Sequence, residues 1–253
     1  MVVRHAEGVN VERLRAILGS SPVPRGSWER EAAYVSTAAL RRAGAPAREV
    51  AEELAVRLRA EPGVRAVHVR PNGFLVIEVA EPGEIVREIL AEPAEPAEPA
   101  VSAEPAVPAE TAPALRDRAE APWPDAPRTW GNPGFAVRYA YVRAGAVERW
   151  CRDLGMDVQI FRPELLGDPR DRAVLRVLAE APSRREGQDA GRVAYLERLA
   201  GAYHDAFEHV PAIPKGDEAP TGAHAARVWL ARAVRKVLGE GLTELGETPP
   251  EKI

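Results

Sequence analysis

A run of Ala-Glu-Pro triplets near the middle of the chain constrains its fold more than any other feature. Residues 91–99 repeat the triplet, Ala103-Glu104-Pro105 echoes it, and prolines continue at Pro108, Pro113, Pro122, Pro124 and Pro127. Each proline removes a backbone donor, alanine offers little apolar area, and the glutamates repel one another. No core can form there to offset the entropy of ordering. The stretch 91–128 is therefore expected to be a disordered linker between two folding units, one at 9–84 and one at 129–253.

Charge follows the same division. The net charge of −4 argues against a nucleic-acid partner until it is located: residues 84–128 hold 10 acidic side chains against 4 arginines. The flanking units are neutral to slightly basic, which leaves room for a local basic face. No apolar stretch approaches the roughly 20 residues needed to cross a bilayer, and the first residues lack the apolar core of a signal peptide. Cys151 is the single cysteine, so neither an internal disulfide nor a cysteine-based zinc site can form. A cytoplasmic protein with no membrane partner is the expectation.

Upstream of the repeat, Val11, Leu14, Ile17 and Leu18 sit at helical spacing before Gly19, and the segment 31–43 reads as a second helix beginning near Ser36. Pro46 suits the first turn of a third, in which Val50, Leu54 and Leu58 share one face. Two alternating runs, 64–70 and 74–79, flank Pro71-Asn72-Gly73 and predict a β-hairpin. The first unit is thus α+β. Beyond the linker the spacing is helical throughout. Helices are expected around Val137 to Leu154, from Pro169 after an Asp168 cap, along Val193 to Val210, and from Ala223 to Leu238 behind a Thr221 cap, making an all-α bundle.

Signs of catalysis are missing from these patterns. There is no glycine-rich phosphate loop and no Gly-x-Ser-x-Gly elbow. His204 and His209 lie five apart, about 140° around a helix, so they cannot share a metal. No catalytic residue, metal or cofactor is assigned.

Three blocks of the first unit, Tyr34 to Leu40, Pro46 to Leu54 and Gly63 to Leu75, resemble the N-terminal additional domain of arginyl-tRNA synthetase. Val137 to Arg143, Leu175 to Ala179, Tyr195 to Ala200, Arg232 to Leu242, Leu245-Gly246 and Pro250 to Lys252 resemble that family's C-terminal, DALR-type anticodon-binding domain. The blocks span about four fifths of the chain. In a synthetase a nucleotide-binding domain with His-Ile-Gly-His and Lys-Met-Ser-Lys type signatures lies between the two; here the 38 linker residues stand in that place. The resemblance therefore implies a non-catalytic paralogue that forms no adenylate and binds tRNA, an arginine tRNA first of all, in an accessory or regulatory role. DNA is not an expected partner. The alternative is a retired synthetase fragment acting as a protein-interaction module.

By the same resemblance, Asn72 and Phe74 at the hairpin turn would meet a loop base at the outer corner of tRNA. Arg138, Tyr139 and Arg143 on the first bundle helix, with Tyr203 and Phe207 on the third, would meet the anticodon stem-loop. Aromatic rings suit unstacked bases and arginines suit phosphates. Arg232, Arg235 and Lys236 make a basic face on the last helix, a further phosphate contact by this account. Core packing competes for Phe74, Tyr203 and Phe207, and ordinary solvation competes for the last three. Ile253 stands where the family has a terminal methionine, and Val76 where it often has a polar group.

Overall fold

The computed structural model describes residues 8, 10–42, 46–93, 123–186 and 191–253. The expected linker between residues 94 and 122, the Gly44-Ala45 break and the first seven residues lie outside them.

The first unit opens with α1 (Val11–Leu18), whose N-cap Asn10 accepts from the Glu12 amide and whose C-cap Gly19 takes the left-handed conformation. Strands β1 (Val23–Arg25), β2 (Ala32–Ser36), β3 (Val64–Val69) and β4 (Leu75–Val79) form one antiparallel sheet in the order β1-β2-β4-β3. Helix α2 (Ala47–Arg59) carries Val50, Leu54 and Leu58 against the sheet, as their spacing predicts. The expected helix at 31–43 is instead strand β2 followed by a short 3-10 turn, Ala38–Arg41. Ala32, Tyr34 and Ser36 alternate inward. A run this short carries too few turns for period 3.6 to outweigh period 2, and pairing with β4 decides the matter.

Helix α3 (Glu84–Ala91) completes this unit and enters the residues expected to begin the linker. It buries Ile85, Val86 and Ile89 and packs against both α5 (Pro169–Leu178) and α8 (Gly222–Glu244). The two units therefore touch directly. Lys236 Nζ donates to the Ile89 carbonyl at 2.7 Å and to that of Glu92, supplying charge at the helix end where free carbonyls gather. Arg185 pairs with Glu92, Arg176 Nε donates to Gly26 O at 2.9 Å, and the Arg87 guanidinium lies 5.6 Å from the centre of the Phe161 ring.

The bundle comprises α4 (Pro133–Asp153), α5, α6 (Ala181–Glu186), α7 (Arg192–His209) and α8. Asp168 and Thr221 cap α5 and α8 as their sequences predict. Helix α4 lies against both α7 and α8, and α5 against α7. At the start of α5 the Asp171 carboxylate is 0% exposed and accepts from Arg227 Nε of α8 at 3.1 and 3.2 Å. Burial raises its pKa to about 6, against the lowering effect of Arg227. Cys151 is buried in the bundle, and burial raises its pKa too. No helix of the described residues is long and apolar enough to cross a membrane.

Candidate nucleic-acid interface

The segment before α4 is a strap. Trp123 is buried and its indole N–H donates to Glu197 Oε1 of α7 at 2.7 Å. Gly134 makes room for it, since a Cβ there would stand 2.3 Å from the Trp123 Cβ. Asn132, 3% exposed, uses its whole amide: Nδ2 donates to the carbonyls of Pro124 and Pro127, and Oδ1 accepts from the amides of Gly134 and Phe135. With Pro133 at the first helical position, that cap starts α4 four residues before its expected beginning at Val137. The last residues assigned to the linker are thus packed onto the bundle.

Beside the strap, α4 and α7 build a ring cluster. Phe135 and Tyr139, one turn apart, stack with centroids 5.5 Å apart, and Trp130 meets Phe135, Tyr139 and His204 at 6.0, 5.5 and 4.8 Å. The Arg143 guanidinium lies within the cluster, 4.5 Å from the Tyr139 centroid, 4.6 Å from Phe207 and 5.6 Å from Trp130. Its Nη1 reaches Glu208 Oε1 at 3.1 Å and His204 Nδ1 at 3.2 Å. His204 Nε2 faces the Ala136 carbonyl at 2.9 Å, which can only accept, so that nitrogen carries the proton and Nδ1 accepts from Arg143. Burial and then the Arg143 charge hold the imidazole below its usual pKa. The neutral ring fixes the guanidinium, and α4 and α7 are locked in register.

The nominated residues divide accordingly. Tyr139, Arg143 and Phe207 meet in the cluster. Tyr203 is 4% exposed, with its ring 6.1 Å from Phe207, and belongs to the core. Arg138 makes a two-pronged ion pair with Glu247, both distances 2.9 Å. Arg232 and Arg235 share Glu148 at 3.3 and 3.4 Å, with their guanidinium groups over Trp229 and Tyr141, and Lys236 holds α3. The expected basic face of α8 is spent on intramolecular contacts. His209 bonds to Asp205 and lies exposed while His204 faces α4, so the two imidazoles do point apart.

In the first unit the β3–β4 turn is exposed at Pro71 and Asn72. Asn72 Oδ1 accepts from the Phe74 amide at 3.2 Å, leaving the Phe74 ring half-buried. Gly73 has φ +80°, and a Cβ there would lie 2.9 Å from that of Ala47, so the turn rests on the start of α2. Arg70 and Arg48 are brought to this tip, both exposed with no acidic partner among the described residues. Val76 is buried, opposite Val35 and His68, and takes no part.

Sequence reasoning missed Trp130, Asn132, His204, Arg48 and Arg70. The Asn132-Pro133 pair is itself a helix-start signal and could have drawn the strap into the bundle. Nothing local in the sequence could have joined α4 to α7 through His204.

Residues 137–253 match the DALR anticodon binding domain family. The chain is also 41% identical over 131 residues to an arginine–tRNA ligase of Clavibacter sepedonicus, an alignment covering 50% of this chain and 24% of the ligase. It thus spans about a quarter of that relative's length. No solved structure gives a match.

Proposed function

Because its C-terminal half is a DALR anticodon binding domain related to arginine–tRNA ligase, we propose that this protein binds tRNA without aminoacylating it, arginine tRNA being the first candidate. The carrying observation is the α4–α7 ring cluster inside the matched domain, where Tyr139 and Phe207 surround a fixed Arg143. The cluster leaves Trp130 exposed at its edge, and an open aromatic face stacks on any unpaired base, each such contact being worth about 1–3 kcal/mol. Arg143, already paired with Glu208, acts by holding the rings in place. The hairpin tip supplies a second contact surface: Asn72 and Phe74 for a base, Arg48 and Arg70 for phosphates.

The proposed role is accessory or regulatory. The chain's Ala-Glu-Pro stretch stands where a synthetase carries its nucleotide-binding domain, and no residue is assigned to orient ATP and arginine for adenylate formation. Gel shifts with total tRNA at about 50 and 200 mM salt test the binding, because phosphate-mediated affinity falls steeply over that range. A shift at the lower salt that fades at the higher is expected. Unshifted tRNA at the lower salt would sink the proposal and favour the protein-interaction alternative. Arginine-dependent ATP–pyrophosphate exchange should be absent; its presence would overturn the non-catalytic role alone.

A further inference from the structure

We propose that the turn Arg128–Gly131 is a docking platform for one unpaired base of an RNA loop, with the Trp130 indole stacked on the base and Arg128 on the adjoining phosphate. The inference rests on the tRNA-binding proposal and names where and how part of that ligand is held.

Trp130 is 56% exposed, although Phe135, Tyr139, His204 and the Arg143 guanidinium all approach its ring. It is supported from within and open to solvent outward. A large ring left so exposed on an element tied down this firmly suits a ligand that covers it. The turn is fixed by backbone bonds from Thr129 N to Pro127 O at 3.0 Å and from Asn132 N to Thr129 O at 2.9 Å, and by the fully used Asn132 amide behind it. Little ordering entropy is left to lose when a ligand arrives.

The chemistry of the cluster selects the occupant. Rings arranged around a cavity commonly hold a cation, but here Arg143 already fills that place and Glu208 balances its charge. A cationic peptide or quaternary amine would find the inner faces taken. What remains is the outer face of the indole, with exposed Arg128 two residues away and no acidic partner for it among the described residues. A flat π system joined to an anion matches both. In a nucleic acid that means an unstacked base with its phosphate, which a loop offers and a duplex withholds.

The test uses the full chain and two labelled RNAs, a hairpin with an unpaired loop and its stem closed as a blunt duplex. Thermal unfolding of each variant is followed alongside. Trp130→Ala should weaken hairpin binding about tenfold and leave duplex binding unchanged, while Trp130→Phe should lose less than about threefold. Arg128→Gln should weaken the hairpin about threefold and reduce the slope of log affinity against log salt by nearly one. If Trp130→Ala is folded and binds the hairpin as well as the wild type does, or loses hairpin and duplex equally, the platform is overturned and tRNA binding stands. If Trp130→Ala fails to fold, the Phe and Gln variants decide: wild-type hairpin affinity and salt slope in Arg128→Gln overturn the platform. A wild-type protein that shifts neither the hairpin nor whole tRNA overturns both proposals.

Discussion

The two units differ in how many of their arginines are paired. In the bundle most cations answer carboxylates, among them Arg138 to Glu247, Arg143 to Glu208, Arg227 to Asp171, Arg232 and Arg235 to Glu148, and Arg176, Arg184 and Arg198 together to Glu180. In the first unit Arg42 and Arg87 meet Glu53 and Glu84, but Arg30, Arg41, Arg48, Arg57, Arg65 and Arg70 are exposed with no acidic partner among the described residues. Counting charges therefore says little about where a polyanion would settle. Pairing decides it, because a cation already neutralised at about 3 Å must exchange one partner for another, whereas a solvated one gives up only counterions.

If the bundle's pairs are structural, breaking the most buried one carries the largest penalty. Asp171→Ala leaves Arg227 with no carboxylate in a setting where its side chain is only 16% exposed. The expected loss is about 4 kcal/mol in urea unfolding, since removing one member of a buried pair strands the other. Replacing both residues with apolar ones should recover most of it. A loss below about 1 kcal/mol for the single variant would show the pair to be incidental.

The next effect belongs to the first unit, whose exception is a buried acid without a cation. Glu88 on α3 accepts from the Glu12 amide at 3.4 Å through one oxygen, while the other has no partner. Burial raises its pKa from 4.5 to about 8, with backbone amides of α1 opposing the rise. The folded state thus keeps a proton that the unfolded chain releases. Its stabilising contribution is full below pH 4.5 and is lost as pH rises through about 8. Wild-type stability should fall by roughly 5 kcal/mol across that interval beyond any change shared with Glu88→Gln. Parallel pH curves for the two proteins would refute the assignment.

Much of this fold was legible in the sequence, and its failures have physical causes. Helices α1, α2, α5, α7 and α8 and the β3–β4 hairpin follow from apolar spacing and end signals, because each has enough turns or alternations to show its period. β2 was too short for that and took its form from pairing with β4. α3 follows Pro82-Gly83 directly and runs into the first Ala-Glu-Pro triplet, so the composition of its neighbours hid it. In the candidate site, Tyr139, Arg143 and Phe207 came from resemblance and do meet in space. Arg232, Arg235 and Lys236 show the limit of such reasoning: a helix's own sequence displays its cations but not the carboxylates that arrive from other elements.

That limit gives the smallest and most discriminating comparison. Arg48→Gln with Arg70→Gln removes two solvated cations at the hairpin tip and should weaken tRNA binding about tenfold, with the log–log salt slope reduced by nearly two. Arg232→Gln with Arg235→Gln removes as much formal charge from α8, yet affinity should stay within about twofold, because Glu148, Trp229 and Tyr141 already hold both side chains. Stability should change by less than about 1 kcal/mol in that second pair, as partly exposed ion pairs contribute little. Should the α8 pair cost the greater affinity, the bundle's arginines exchange partners on binding, and the distinction between paired and free cations fails for this molecule.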